Sequence, residues 1–215
     1  MAIKVSVLSQ KGGVGKSTLS RALGVEYARH EWQVKIADMD LKQSTAAMWN
    51  RERMNQGYQP SLAVETFASV KDVLKQEHNY DLIVFDGAGQ ADLQTLEIAK
   101  NSDYIILPSG LSKDDLTPQI RLAHEFVKKG IKRNKIGIAL SRVGKSEREL
   151  EDTVEYIQTA GYVYLGHINE MTSISQCHDS GLAANETKYD SINGQVDKLI
   201  QNIVDKVELI NAQSQ

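Results

Sequence analysis

The chain has 215 residues, 41% of them hydrophobic and 25% charged, with a formal charge of −3; this balance suits a soluble globular domain and excludes a low-complexity polymer. The lone Cys177 cannot close an internal disulfide or build a cysteine-ligated zinc or iron–sulfur site, so a reducing, cytoplasmic location is expected. No uncharged stretch approaches the ~18 residues of a membrane span, and residues 1–30 carry no basic region leading into a long apolar run, so neither secretion nor membrane insertion is expected.

Short apolar, β-branched runs alternate with longer amphipathic stretches from one end to the other. That is the pattern of an α/β protein with a mostly parallel, twisted sheet of about seven or eight strands and helices on both faces. In chain order the expected elements are strand 3–9, helix 16–30, strand 34–38, helix 43–56, strand 62–65, helix 69–78 and strand 82–86. They continue with helix 91–100, strand 104–108, helix 115–129, strand 136–141, helix 146–160, strand 163–165 and helix 190–210. In the last helix Ile192, Val196, Leu199, Ile200, Ile203, Val204, Val207 and Ile210 share one face. No linker or repeat divides the chain, so 1–215 reads as one domain with a frayed polar tail at 211–215.

The sharpest chemical signal follows the first strand: Gln10-Lys11-Gly12-Gly13-Val14-Gly15-Lys16-Ser17-Thr18. Glycines there let the backbone curl until successive N–H groups and a helix N-terminus point at phosphate oxygens. Lys16 then reaches the β and γ phosphates and Ser17 holds Mg²⁺, as in a P-loop NTPase. A ligand-free glycine turn is the plain alternative, and the flanking strand and helix speak against it. Leu82-Ile83-Val84-Phe85-Asp86 is an apolar strand ending in a carboxylate, which places Asp86 beside the Mg²⁺. The flexible Gly87-Ala88-Gly89 after it suits a segment that moves when the terminal phosphate is lost.

The loop departs from the general pattern, with Gln10 where a glycine is usual and a second lysine, Lys11, before the glycines. Lys-Gly-Gly-Val-Gly-Lys-Ser-Thr resembles the deviant phosphate loop of the ParA/MinD family of dimeric ATPases, and the resemblance extends over essentially the whole chain. Asp86-Gly87-Ala88-Gly89 is most similar to the small, ParF-like plasmid partition ATPases of that family. The resemblance implies ATP/ADP and Mg²⁺ as cofactors, with Gly12, Gly13, Val14, Gly15, Lys16, Ser17 and Thr18 around the nucleotide. It implies that Lys11 reaches the partner's nucleotide in an ATP-bound homodimer, and that Asp40 of Asp38-Met39-Asp40 orients the attacking water. Asp38 is expected in the Mg²⁺ shell, partly through water, although a strand-end Asp is as often a helix cap. Pro108 and Met171 stand where family members contact the base.

A family member of the ParA type binds nonspecific double-stranded DNA, works with a ParB-like or centromere-binding adaptor, and associates with the nucleoid. Between Arg121 and Lys145 eight basic residues face one acid, Glu125, a local balance of +7 within a chain of −3. Lys128, Lys129, Lys132, Arg133, Lys135, Arg142 and Lys145 are therefore the expected phosphate-backbone contacts, against the plain reading of a solvated helix end. Two other readings stay open: an accessory ATPase for conjugative DNA transfer, and a MinD-like membrane-bound spatial regulator. The mixed charges Asp197, Lys198, Asp205, Lys206 and Glu208 make the last helix unlike a basic lipid-binding helix.

Overall fold

The apolar runs of the sequence pair as one sheet in the computed structural model, which describes residues 1–89 and 93–212. Among the described residues the strands are β1 (Ile3–Val7), β2 (Val34–Asp38), β3 (Ala63–Thr66), β4 (Leu82–Asp86), β5 (Tyr104–Ser109), β6 (Ile136–Val143) and β7 (Val163–Asn169). Their order is β3-β2-β4-β1-β5-β6-β7, and every pairing is parallel. The helices are α1 (Lys16–Arg29), α2 (Thr45–Asn55), α3 (Val70–Leu74), α4 (Leu93–Lys100), α5 (Lys113–Lys128), α6 (Glu147–Thr159), α7 (Thr172–Asp179) and α8 (Asp190–Ala212).

Side chains alternate along a strand, so β4 sends Leu82 and Val84 to one face and Ile83 and Phe85 to the other. The first pair joins Leu19 and Leu23 of α1, Trp49 of α2 and Val196, Leu199, Ile200 and Ile203 of α8. The second joins Val70 of α3, Ile98 of α4, Leu116, Ile120 and Phe126 of α5 and Ile157 of α6. Burial on both faces is why these strands read as unbroken apolar runs. Each fully buried Leu or Ile contributes about 1.5–3 kcal/mol relative to exposure, which is what holds α8 on the sheet while its other face stays polar.

Several boundaries differ from expectation for local reasons. β7 continues to Asn169 through Gly166 and His167, two residues that carry no apolar signal. The helix expected at 69–78 stops at Leu74 and gives way to a 3-10 turn at Glu77–Asn79. α7 was not expected, because Ile174 is its only buried residue and a lone apolar position makes no periodicity. Residues 211 and 212, expected to fray, are the last of α8. Residues 91–92 of the expected fourth helix and 213–215 of the tail lie outside the described residues.

Parallel strands bring their C-terminal ends to one edge, where open α/β sheets bind ligands. β4 lies between β2 and β1, so Asp38 is in register with Asp86, and Val7 is also in register with Asp86. The glycine-rich segment leaves β1 at that same edge.

Candidate functional site

The loop between β1 and α1 turns through two left-handed glycines, Gly13 at φ 76° and Gly15 at φ 94°. Gly15 occupies the N-cap of α1 without a side-chain cap, which leaves the first N–H groups of the helix open to an anion. Lys16, half-buried at this end, donates from Nζ to the Lys11 carbonyl at 3.3 Å. Burial lowers its pKa, while Asp86 and Asp40 pull it back up. A cleft of about 790 Å³ opens here, lined by Gly12, Gly13, Gly15, Lys16, Ser17 and Thr18 from the loop. Asp38, Asp40, Asp86 and Met171 also border it, and its size is that of a nucleotide-scale pocket.

Asp86 is buried, and its Oδ1 has no hydrogen-bond partner. Burial, with the charge of Asp38 added, pushes its carboxyl up to about 6, against the pull of Ser17, Arg21 and Lys16. The Ser17 hydroxyl lies 3.4 Å from that of Thr45. An orphaned carboxylate oxygen close to paired hydroxyls is a hard-oxygen donor set that fits Mg²⁺, an ion that keeps several waters and takes its remaining ligands from substrate phosphates.

The other two acids have different employment. Asp38 accepts the N–H of Ala46 at 2.9 Å and of Ala47 at 3.3 Å on Oδ2, and that of Asp40 at 3.1 Å on Oδ1. Oδ2 thus fastens the start of α2 while Oδ1 holds the turn at Asp40, and the carboxylate borders the cleft beside Asp86, where its expected share in a Mg²⁺ shell runs through water. Asp40 is half-buried on the cleft wall, and its Oδ1 accepts Lys42 N and Gln43 N, both at 3.1 Å. That turn fixes the carboxylate at the mouth of the segment joining β2 to α2.

Two cationic or titratable side chains here escaped the sequence reading. Arg21, one turn beyond Ser17 on α1, is 6% exposed, donates to the Thr45 carbonyl at 2.8 Å and lies over the Trp49 ring at 5.3 Å. Its Nε has no partner. His178 of α7 borders the same cleft with Nε2 buried and unpartnered; burial, helped by Arg21, drives its pKa down to about 4. Arg21 was detectable as a charge inside the apolar stripe of α1. His178 was not, because the expected elements placed no helix around it.

Of the two expected base contacts, Met171 lines the cleft with Asn169, Glu170 and Thr172. Pro108 does not: it is an interior residue of β5 in register with Ala139, and its carbonyl accepts the Gln119 side-chain amide. Lys11 pairs with Asp115 of its own chain, Nζ to Oδ1 at 2.6 Å. The pair borders a smaller cavity of about 350 Å³, with Val14, Gly110, Ser112 and Arg142.

The basic segment does not form one patch. Lys128, Lys129, Lys132, Arg133 and Lys135 precede β6, whereas Arg142 and Lys145 come at its far end, and eight residues of strand span roughly 25 Å. Lys128, Lys129 and Lys132 are exposed. Arg133 packs over Tyr162 at 5.0 Å and donates to the Ala160 carbonyl at 2.7 Å. Arg142 lies against the phosphate loop instead.

Comparison with known proteins agrees with this geometry. Residues 5–184 match the CobQ/CobB/MinD/ParA nucleotide binding domain. No curated protein matches the sequence. Among solved structures the chain is similar to the septum site-determining protein MinD of Pyrococcus horikoshii OT3 complexed with Mg-ADP, at 20% identity and TM-score 0.75, covering 94% of this chain and 96% of that one. It is similar also to a candidate plasmid partition protein of Borrelia burgdorferi B31 bound to AMPPNP, at 19% identity and TM-score 0.73, with 96% and 100% covered. A variant of Cyanothece McdA in complex with ATP aligns at 15% identity and TM-score 0.73, with 94% and 96% covered. Those three structures hold Mg-ADP, AMPPNP and ATP respectively, consistent with the ATP/ADP and Mg²⁺ expected from the sequence. With the family's domain matching most of this chain, the chain belongs to the CobQ/CobB/MinD/ParA nucleotide-binding family.

Proposed function

We propose that the chain is a Mg²⁺-dependent, ParA-type ATPase that dimerises with ATP, binds nonspecific DNA and positions a plasmid or similar cargo through a ParB-like or centromere-binding adaptor. The observation that carries the ATPase reading is the meeting of the open α1 N-terminus, Lys16, Ser17 and the unpartnered Asp86 oxygen in one cleft.

In this reading the loop N–H groups and Lys16 hold the phosphates and neutralise charge that develops in hydrolysis. Ser17 and Asp86 would hold Mg²⁺, which when bound would supply Lewis-acid polarisation of the terminal phosphate. Asp40 orients the attacking water. Lys11 adds a second cation when two chains meet face to face, so nucleotide state governs association. Hydrolysis is slow until the adaptor binds.

DNA contact falls to Lys128, Lys129, Lys132 and Lys135 at the edge of the sheet remote from the nucleotide. Two such groups in a dimer make DNA binding cooperative with ATP, and the protein would then reside on the nucleoid. The test is DNA co-sedimentation with ATP, ADP or no nucleotide at two salt concentrations. Salt-sensitive binding that requires ATP is expected; binding indifferent to nucleotide, or none, refutes the positioning role.

A further inference from the structure

We propose that Arg142 is a nucleotide-binding residue whose guanidinium engages the polyphosphate from the β6 side of the loop. The inference rests on the nucleotide reading of the cleft and adds a contact to it.

The backbone at Arg142 is arranged for something other than sheet formation. Leu140 pairs with His167 and Val143 with Asn169, so β6 carries one more residue than β7 across this interval. Such a bulge re-aims a side chain. Arg142 itself sits at φ 55°, the left-handed region that suits glycine and is strained for a residue with a Cβ. A glycine would make the same turn without strain, and the chain places its longest cationic side chain there.

The turn is then clamped onto the phosphate loop. The neighbouring Ser141 hydroxyl donates to the Val14 carbonyl at 2.7 Å, and a Cβ on Gly15 would meet the Ser141 side chain at 3.0 Å. With the strand end so docked, the Arg142 guanidinium lies over Gly13, where an added Cβ would stand 3.4 Å from Nη2. Arg142 borders both the nucleotide cleft and the smaller cavity that holds Lys11.

The guanidinium is also uncommitted. Its field helps hold the Asp115 carboxyl below the usual range, yet among the described residues it makes no ion pair or hydrogen bond; Asp115 is bonded to Lys11 instead. A planar fork of N–H donors that is charged at any working pH is the group best matched to phosphate oxygens. Held over the loop, it closes the side of the phosphate site that Lys16 does not reach. A DNA role fits poorly, since the exposed lysines lie at the other end of β6.

The test is titration of the full chain with fluorescent ATP and ADP analogues in Mg²⁺, alongside thermal unfolding without nucleotide. Arg142→Gly is the informative variant, because it accepts φ 55° while removing the side chain with its guanidinium. It should keep or raise the wild-type Tm and bind nucleotide about tenfold or more weakly, in line with the loss of a charge-assisted hydrogen bond. Arg142→Lys should recover part of the affinity. DNA co-sedimentation of Arg142→Gly at saturating nucleotide should match wild type. Unchanged nucleotide affinity overturns the proposal, as does a loss matched by a fall in Tm, which assigns Arg142 to the fold. Failure of the wild type itself to bind, with Lys16→Ala as control, would instead overturn the parent reading of the cleft.

Discussion

Lys11 Nζ stands 2.6 Å from Asp115 Oδ1 within one chain, so the extra lysine of the phosphate loop is tethered to the first turn of α5. Its hydrogen bond is the main reason the Asp115 carboxyl lies below its usual range. A lysine that is to serve a partner's nucleotide must first leave this carboxylate. The pair is partly exposed, with side chains at 44% and 28%, and such pairs are worth about 0.2–1 kcal/mol. With one such pair to open in each chain, Asp115→Asn should therefore tighten ATP-dependent dimerisation by roughly two- to thirtyfold. Sedimentation velocity across protein concentrations measures it; weaker association of the variant would mean that the pair supports the dimer rather than restrains it.

Lys16→Ala removes the ammonium that the loop holds between the Lys11 carbonyl and the acids of the cleft. Nucleotide binding or hydrolysis should be abolished. Turnover at the parent rate would sink the assignment of the phosphate site.

Asp40→Ala should leave ATP binding intact and trap the ATP-bound dimer, because the phosphate contacts stay while the water loses its orienting carboxylate. The Asp40 carboxylate also bonds Lys42 N and Gln43 N, so Asp40→Asn, which keeps an acceptor for that turn, is the cleaner variant. Gel filtration with ATP and a single-turnover assay read the two effects apart. Normal turnover in Asp40→Asn contradicts the water-positioning role.

The parts of this site that the sequence discloses are those a contiguous stretch defines: the glycine loop, Lys16, Ser17 and the apolar strand ending at Asp86. Parallel β topology was legible for the same reason, since strands buried on both faces become uninterrupted apolar runs. What stayed hidden depends on contacts between distant segments. That Asp38 also anchors the first turn of α2 through Oδ2 shows only in the fold. Arg142 looks like one more charge in a basic run until the bulge in β6 turns it onto Gly13. Pro108 matches a family position, but its register with Ala139 puts it inside the sheet. His178 lies on a helix with one buried residue, for which no periodicity exists to read.

The division of the basic segment changes which substitutions should matter for DNA. Replacing Lys128, Lys129, Lys132 and Lys135 by Glu should weaken DNA binding at least tenfold at low salt and flatten its salt dependence, while sparing ATP binding. Lys145→Glu, at the opposite end of β6, should change DNA affinity little. Equal losses from the two ends would mean that DNA contacts both edges of the sheet.

Asp86 and His178 face one cleft with their pKa values displaced in opposite senses, to about 6 and about 4. The Asp86 value lies above its ordinary 3.8, so between about pH 4 and 6 the folded chain holds a proton that the unfolded chain has lost, and this group makes stability fall as pH rises. The His178 value lies below its ordinary 6.5, so between about pH 4 and 6.5 the unfolded chain holds the extra proton, and this group makes stability rise with pH. Without nucleotide or Mg²⁺ the two contributions nearly cancel. Asp86→Asn should remove the opposing carboxyl, adding a rise of about 3 kcal/mol across that window relative to wild type, and His178→Gln should add a fall of about the same size. Urea unfolding in EDTA at half-unit steps from pH 4 to 7 gives both difference profiles. Difference profiles that are flat, or that slope the same way, would show that the two groups do not oppose each other in the empty cleft.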